Sequence, residues 1–116
     1  MKKLVLMILL SVVLVIGITV PAVAAENAAR ATLSLDFVGS AAECEASISA
    51  PGCEIDATLE LWSGSTFIAS WSYSDWDYVY IYGAAPATRG NPYTLKVTGT
   101  IDGYTINVQP IHRTFL

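Results

Sequence analysis

From Glu43 to Leu61 the chain alternates with a period of two. Cys44, Ala46, Ile48 and Ala50 fall between Glu43, Glu45, Ser47 and Ser49; Ile55, Ala57, Leu59 and Leu61 fall between Glu54, Asp56, Thr58 and Glu60. Successive side chains of a strand point to opposite faces, so this pattern predicts strands with one buried face and one wet face. Leu33, Leu35 and Phe37 alternate in the same way with Thr32, Ser34 and Asp36. Beyond residue 30 no segment holds apolar residues at the three-and-four spacing of a helix. The expected fold class is therefore all-β and antiparallel.

The punctuation agrees. "GSAAE" follows the first strand, Pro51-Gly52 the second, "SGS" at 63–65 the third, and "AAPATRGNP" spans 84–92. Asp102-Gly103, between "LKVTGTI" and "YTINVQ", is a hairpin signal, because glycine accepts the positive φ such turns require. This gives about seven strands, near 31–38, 43–50, 54–62, 66–74, 77–83, 93–100 and 104–112, at the spacing of a sandwich or small barrel. Tyr93 in "NPYTLKV" opens the sixth strand after a long loop. Immunoglobulin-like sandwiches pin such a loop with a tyrosine, although a tyrosine that starts a strand for no further reason fits the same residues.

The N-terminus carries an address. Lys2 and Lys3 precede an apolar run from Leu4 to Val20, Pro21 ends it, and Ala22-Val23-Ala24 supplies the small residues signal peptidase accepts. Residues 1–24 are expected to be a cleaved secretory signal, 25–30 a flexible lead, and 31–116 the β-sandwich domain. An uncleaved anchor is the alternative; the run is short for a relaxed span. After cleavage 92 residues remain, with four basic side chains against ten acidic ones, a formal charge of −6. A chain so acidic is not expected to bind nucleic acid, whose phosphates need a basic surface, nor anionic lipid. It is long enough for one domain and no more.

"ATLSLDFVG", "CEASISAPG", "IDATLELWSGSTFIASW" and "PYTLKVTGTIDG" resemble segments of a set of small secreted proteins of Gram-positive bacteria, each a single immunoglobulin-like β-sandwich without a characterised function. The resemblance spans nearly all of the chain after the signal and implies an antiparallel immunoglobulin-like sandwich and an extracellular place. Many of those proteins have a serine- and glycine-rich fifth strand and end in a cysteine. This chain has tyrosines at the first place and Phe115-Leu116 at the second, so the resemblance implies that Cys44 has lost a C-terminal partner.

Secretion makes a Cys44–Cys53 disulfide conceivable. If Pro51-Gly52 is a two-residue turn, however, Cys44 opposes Leu59, and the two cysteines stand about 20 Å apart along the strands. The bond requires a loop over 44–53 in place of a hairpin.

No enzyme activity is expected. His112 is the sole histidine, no G-x-S-x-G or H-E-x-x-H is present, and a small sandwich rarely builds the deep cleft that paired carboxylates need. Asp75 and Asp77 offer too few oxygens for calcium without loop carbonyls, so no metal ligand and no cofactor is assigned.

The candidate binding residues are Trp76, Tyr78, Tyr80 and Tyr82, in "SYSDWDYVYIYG". The three tyrosines share one face of a strand, and Val79 and Ile81 share the other. Buried tyrosine hydroxyls would need three partners, whereas Val79 and Ile81 need none, so the tyrosines are expected outside. Trp71, Phe67 and Tyr73 on the preceding strand are expected to help fill the interior. An exposed aromatic row marks a binding surface, for an extracellular protein partner first and for a glycan or cell-wall polymer as the alternative; an aromatic ladder that only stiffens the sheet is the third reading.

Overall fold

The computed structural model of the protein describes residues 29–116; the expected signal and all but the end of the lead lie outside the described residues. Six strands form one antiparallel sheet: β1 (Arg30–Val38), β2 (Ala41–Ser63), β3 (Thr66–Pro86), β4 (Pro92–Ile101), β5 (Tyr104–Thr105) and β6 (Ile111–Thr114). No helix among the described residues is long and apolar enough to cross a membrane.

The ladder is built around β2. Its first half pairs with β1 on one side and with the second half of β3 on the other. Its second half pairs with the first half of β3 and with β4. β4 in turn carries β5 and β6. The alternating residues are buried as their parity predicts, with Cys44, Ala46, Ile48 and Ala50 in the first half of β2 and Ile55, Ala57, Leu59 and Leu61 in the second. Both sets join a single apolar cluster with Leu35, Val79, Ile81, Leu95, Val97 and Ile101. Burying each large aliphatic side chain contributes about 1.5–3 kcal/mol.

Pro51-Gly52 does not reverse the chain, as the sequence led us to expect. β2 runs on through it, and the ladder jumps from the pair Ala50–Asp77 to the pair Glu54–Trp76, leaving three residues of β2 without a partner in β3. Asp77 takes φ 69°, and its carboxylate accepts the Gly52 N–H at 2.7 Å. This bulge switches the buried parity of β2 from even to odd, so both halves keep their apolar faces inside. It bends β2 and β3 together, and two pairs of expected strands (43–50 with 54–62, 66–74 with 77–83) are one bent strand each. The expected last strand, 104–112, is interrupted: β5 and the start of β6 form ladders with β4, and between them Ile106 donates its N–H to Gly99 O.

Three expected turns are present. Gly39-Ser40 joins β1 to β2, and Gly64-Ser65 joins β2 to β3. Asp102 (φ 51°) and Gly103 (φ 83°) join β4 to β5, and the Asp102 carboxylate also accepts the Glu54 N–H at 2.7 Å. Tyr93 is buried, and its hydroxyl accepts the Thr88 N–H at 2.8 Å, fastening the loop between β3 and β4 to the start of β4. Phe37 stacks on Phe115 and tilts against Tyr93, so β1 is held against the strand that follows this loop.

Candidate functional site

The second half of β3 has two faces of opposite character. Val79 and Ile81 are buried, whereas Tyr78, Tyr80 and Tyr82 are 51, 46 and 49% exposed. The tyrosine row therefore faces solvent. Trp76 is also exposed, at 58%, but it stands across the left-handed Asp77 from the row.

Two of the aromatics expected to fill the interior lie outside it. Phe67 is exposed because the register slips between Leu61 and Trp62, turning it outward, where it meets the Trp62 ring edge-on at 5.4 Å. Tyr73 has inward parity, opposite Ala57, yet remains half exposed. Trp71 alone of the three packs against the core.

The floor beneath the tyrosines comes from β2. Tyr78 lies opposite Ser49, Tyr80 opposite Ser47, and Tyr82 opposite Glu45. The Tyr78 hydroxyl reaches diagonally to Ser47 Oγ at 3.4 Å. Partial desolvation, and after it the Glu45 carboxylate, raises the Tyr80 pKa above the ordinary 10.0. Partial desolvation raises that of Tyr82 as well, followed by the Glu43 and Glu45 carboxylates. Tyr78 thus leans over β2, away from the outer edge of its own strand, and the carboxylates felt by Tyr80 and Tyr82 lie on β2 as well.

That outer edge is the second half of the site. Among the described residues β3 pairs only with β2. Ala87 donates its N–H to Ser40 O, and hydrogen-bonded residues alternate along an antiparallel ladder. In this half of β3 the odd residues thus turn their backbone groups to β2, and Tyr78, Tyr80 and Tyr82 turn theirs outward. The other half follows the same rule. Asp102 N–H bonds Glu54 O, so the even residues of β2 serve β4 and the odd ones serve β3, leaving Ser70, Ser72 and Ser74 facing outward. No charged residue lies between Asp77 and Arg89. Soluble proteins usually blunt such an edge with charge, proline or a bulge. Here the only such device beyond Asp77 is Pro86, at an outward position. The outer edge of β1 differs: its strand carries Arg30 and Asp36, and Arg113 bonds the Leu35 carbonyl at 2.6 Å and Asp36 at 3.1 Å.

The remaining chemistry-bearing side chains are engaged structurally. His112 Nδ1 lies 2.9 Å from Thr94 Oγ1. Cys44 is buried, which pushes its thiol up to about 11, and no disulfide joins it to Cys53. The two cysteines lie on the same strand, Cys44 in its first half and Cys53 within the bulge. Asp75 accepts the N–H of Trp76, and no group of three His, Cys, Asp or Glu among the described residues is placed to hold a metal ion. In comparison with known proteins, the chain matches no protein-family model and no curated sequence.

What sequence reading missed is the edge. The parity of the tyrosines was visible, but which side of β3 lacks a neighbour depends on pairings far apart in the chain. One signal was available: the uncharged run 78–88 carries tyrosines at three alternate positions, which the longer uncharged run 61–74 does not.

Proposed function

We propose that this is a secreted, non-catalytic interaction module that binds an extracellular protein partner through the tyrosine-bearing edge of β3. The observation that carries the reading is the coincidence of three features on one short segment. Tyr78, Tyr80 and Tyr82 expose their rings, turn their backbone donors and acceptors outward, and bear no charge. An edge of that kind takes an added strand: main-chain hydrogen bonds supply affinity, and alternate side chains supply selectivity. Tyrosine supplies contact area at low entropic cost.

In this reading the signal is cleaved after Ala24 and the domain is an immunoglobulin-like sandwich of the kind its sequence resembles. The Tyr93 hydroxyl on the Thr88 N–H supports that architecture, since a tyrosine bonding backwards across a loop recurs in such folds. The count of about seven strands is kept if β2 and β3 are each divided at their bend and β5 and β6 are taken as one interrupted strand.

A glycan or cell-wall polymer is the second reading. It is favoured by the way Tyr78 leans toward Ser47, with Glu43 and Glu45 beside the row as polar rim. Two substitutions separate the readings. Tyr80→Pro removes an outward N–H that β2 does not use, whereas replacing all three tyrosines by serine removes the rings and keeps every N–H. Retention of the protein is measured on purified cell-wall polysaccharide and on proteins extracted from the same cell surface. Strand addition predicts retention on the protein fraction, lost in Tyr80→Pro. Retention on the polysaccharide that survives high salt, and is lost only when the rings go, favours the glycan. Equal retention of all variants on either fraction contradicts both.

A further inference from the structure

We propose that the partner of this edge is a second copy of the same chain, paired antiparallel through β3 about a twofold axis at Tyr80. The proposal rests on the edge reading above and names its occupant. Under that axis Tyr80 faces Tyr80 of the other copy, and Tyr78 faces Tyr82. Every residue so matched turns its N–H and C=O outward, so each pair exchanges both hydrogen bonds.

The ends of the flat segment bound the register, and the tyrosines choose it. Asp77, at φ 69°, bends the strand before Tyr78, and Pro86 has no N–H to give. Between these limits, centring on Tyr80 is the alignment in which every tyrosine meets a tyrosine. The result is an isologous contact in which one patch serves as both donor and acceptor surface.

Charge points the same way. The secreted chain carries −6, so a contact that sets its acidic side chains against those of a second copy is repelled. The segment from Tyr78 to Thr88 has no charge, so pairing there sets no like charges opposite one another. The neighbouring Asp77 is turned to the Gly52 N–H of its own chain. The lean of Tyr78 toward Ser47 leaves the backbone of the edge open to an approaching strand.

The test is the association state of the protein recovered after expression of the full chain. Sedimentation equilibrium over a range of concentrations should show a monomer–dimer equilibrium. Tyr80→Lys, which puts like charges face to face on the axis, and Tyr80→Pro, which deletes a donor on each side, should each weaken it by about tenfold or more. If Tyr80→Pro fails to fold, Tyr80→Lys and cross-linking decide. Hydrogen-bonded partners stand about 5.5 Å apart between Cα atoms, within disulfide reach. Tyr80→Cys should therefore give a disulfide-linked dimer under mild oxidation. Tyr78→Cys alone should not, but mixed with Tyr82→Cys it should. A monomer at every concentration, a dimer indifferent to Tyr80→Lys, or cross-linking at Tyr78 alone and not at Tyr80 overturns the proposal. A monomer that still binds another protein in a Tyr80-dependent way overturns self-pairing and leaves the interaction-module reading intact.

Discussion

The indole of Trp71 lies against the α-carbon of Gly83, in the space a side chain at 83 would fill. The two residues belong to the same strand, on opposite sides of its bend, so this contact joins the two halves of β3 face to face. The buried face around it is built of small residues: Cys44 is the ladder partner of Gly83, with Ala42 and Ala46 on either side of it in β2. A ring as large as indole fits because that floor is low.

Gly83→Ala should therefore cost about 1–3 kcal/mol through overpacking. Denaturant titration checks it. Combining the change with Trp71→Phe should return part of the loss, because residues in contact couple.

Gly103→Val should cost about 1 kcal/mol or more, since Gly103 sits at φ 83° and a β-branched residue resists that conformation. An unchanged denaturation midpoint would count against the turn.

The class of fold was legible because alternation is a local signal: the parities of Cys44–Ala50 and Ile55–Leu61 hold on both sides of a break. The bend was not. Pro51-Gly52 suits a reversal as well as a bulge, and only the pairing of Ala50 with Asp77 and of Glu54 with Trp76 distinguishes them. Phe67 was misplaced for a similar reason, because a single register slip after Leu61 turns it over. Val79 and Ile81 were placed inside by a physical argument about unpaired hydroxyls, and they are inside.

Replacing Tyr78, Tyr80 and Tyr82 together by serine should leave the domain folded, with a stability loss near 1 kcal/mol, because half-exposed side chains contribute little to the core. Val79→Ser should cost roughly 1–3 kcal/mol through a lost apolar contact and a buried hydroxyl without a partner. The reverse order of stabilities would mean that the strand is turned over.

The tyrosine row also sets an alkaline limit. Tyr80 and Tyr82 titrate above 10.0 in the folded chain, through partial desolvation and then the carboxylates of Glu45 and Glu43. Their raised values favour the neutral hydroxyl, so their contribution is complete below the unfolded tyrosine value and is lost as pH rises through the folded one. Glu45→Gln should bring the Tyr80 titration down toward 10.0, as followed by tyrosinate absorbance or NMR.

Residue-by-residue amide hydrogen exchange in β3 tests the central claim, a tyrosine edge open to a partner, most directly. In dilute solution the amides of Val79, Ile81 and Gly83 should be protected, and those of Tyr78, Tyr80 and Tyr82 should exchange rapidly, because only the first set bonds β2. On association the three tyrosine amides should slow by about tenfold or more while the others change little. Tyrosine amides already protected in the dilute monomer, or unaffected by association, would contradict the account.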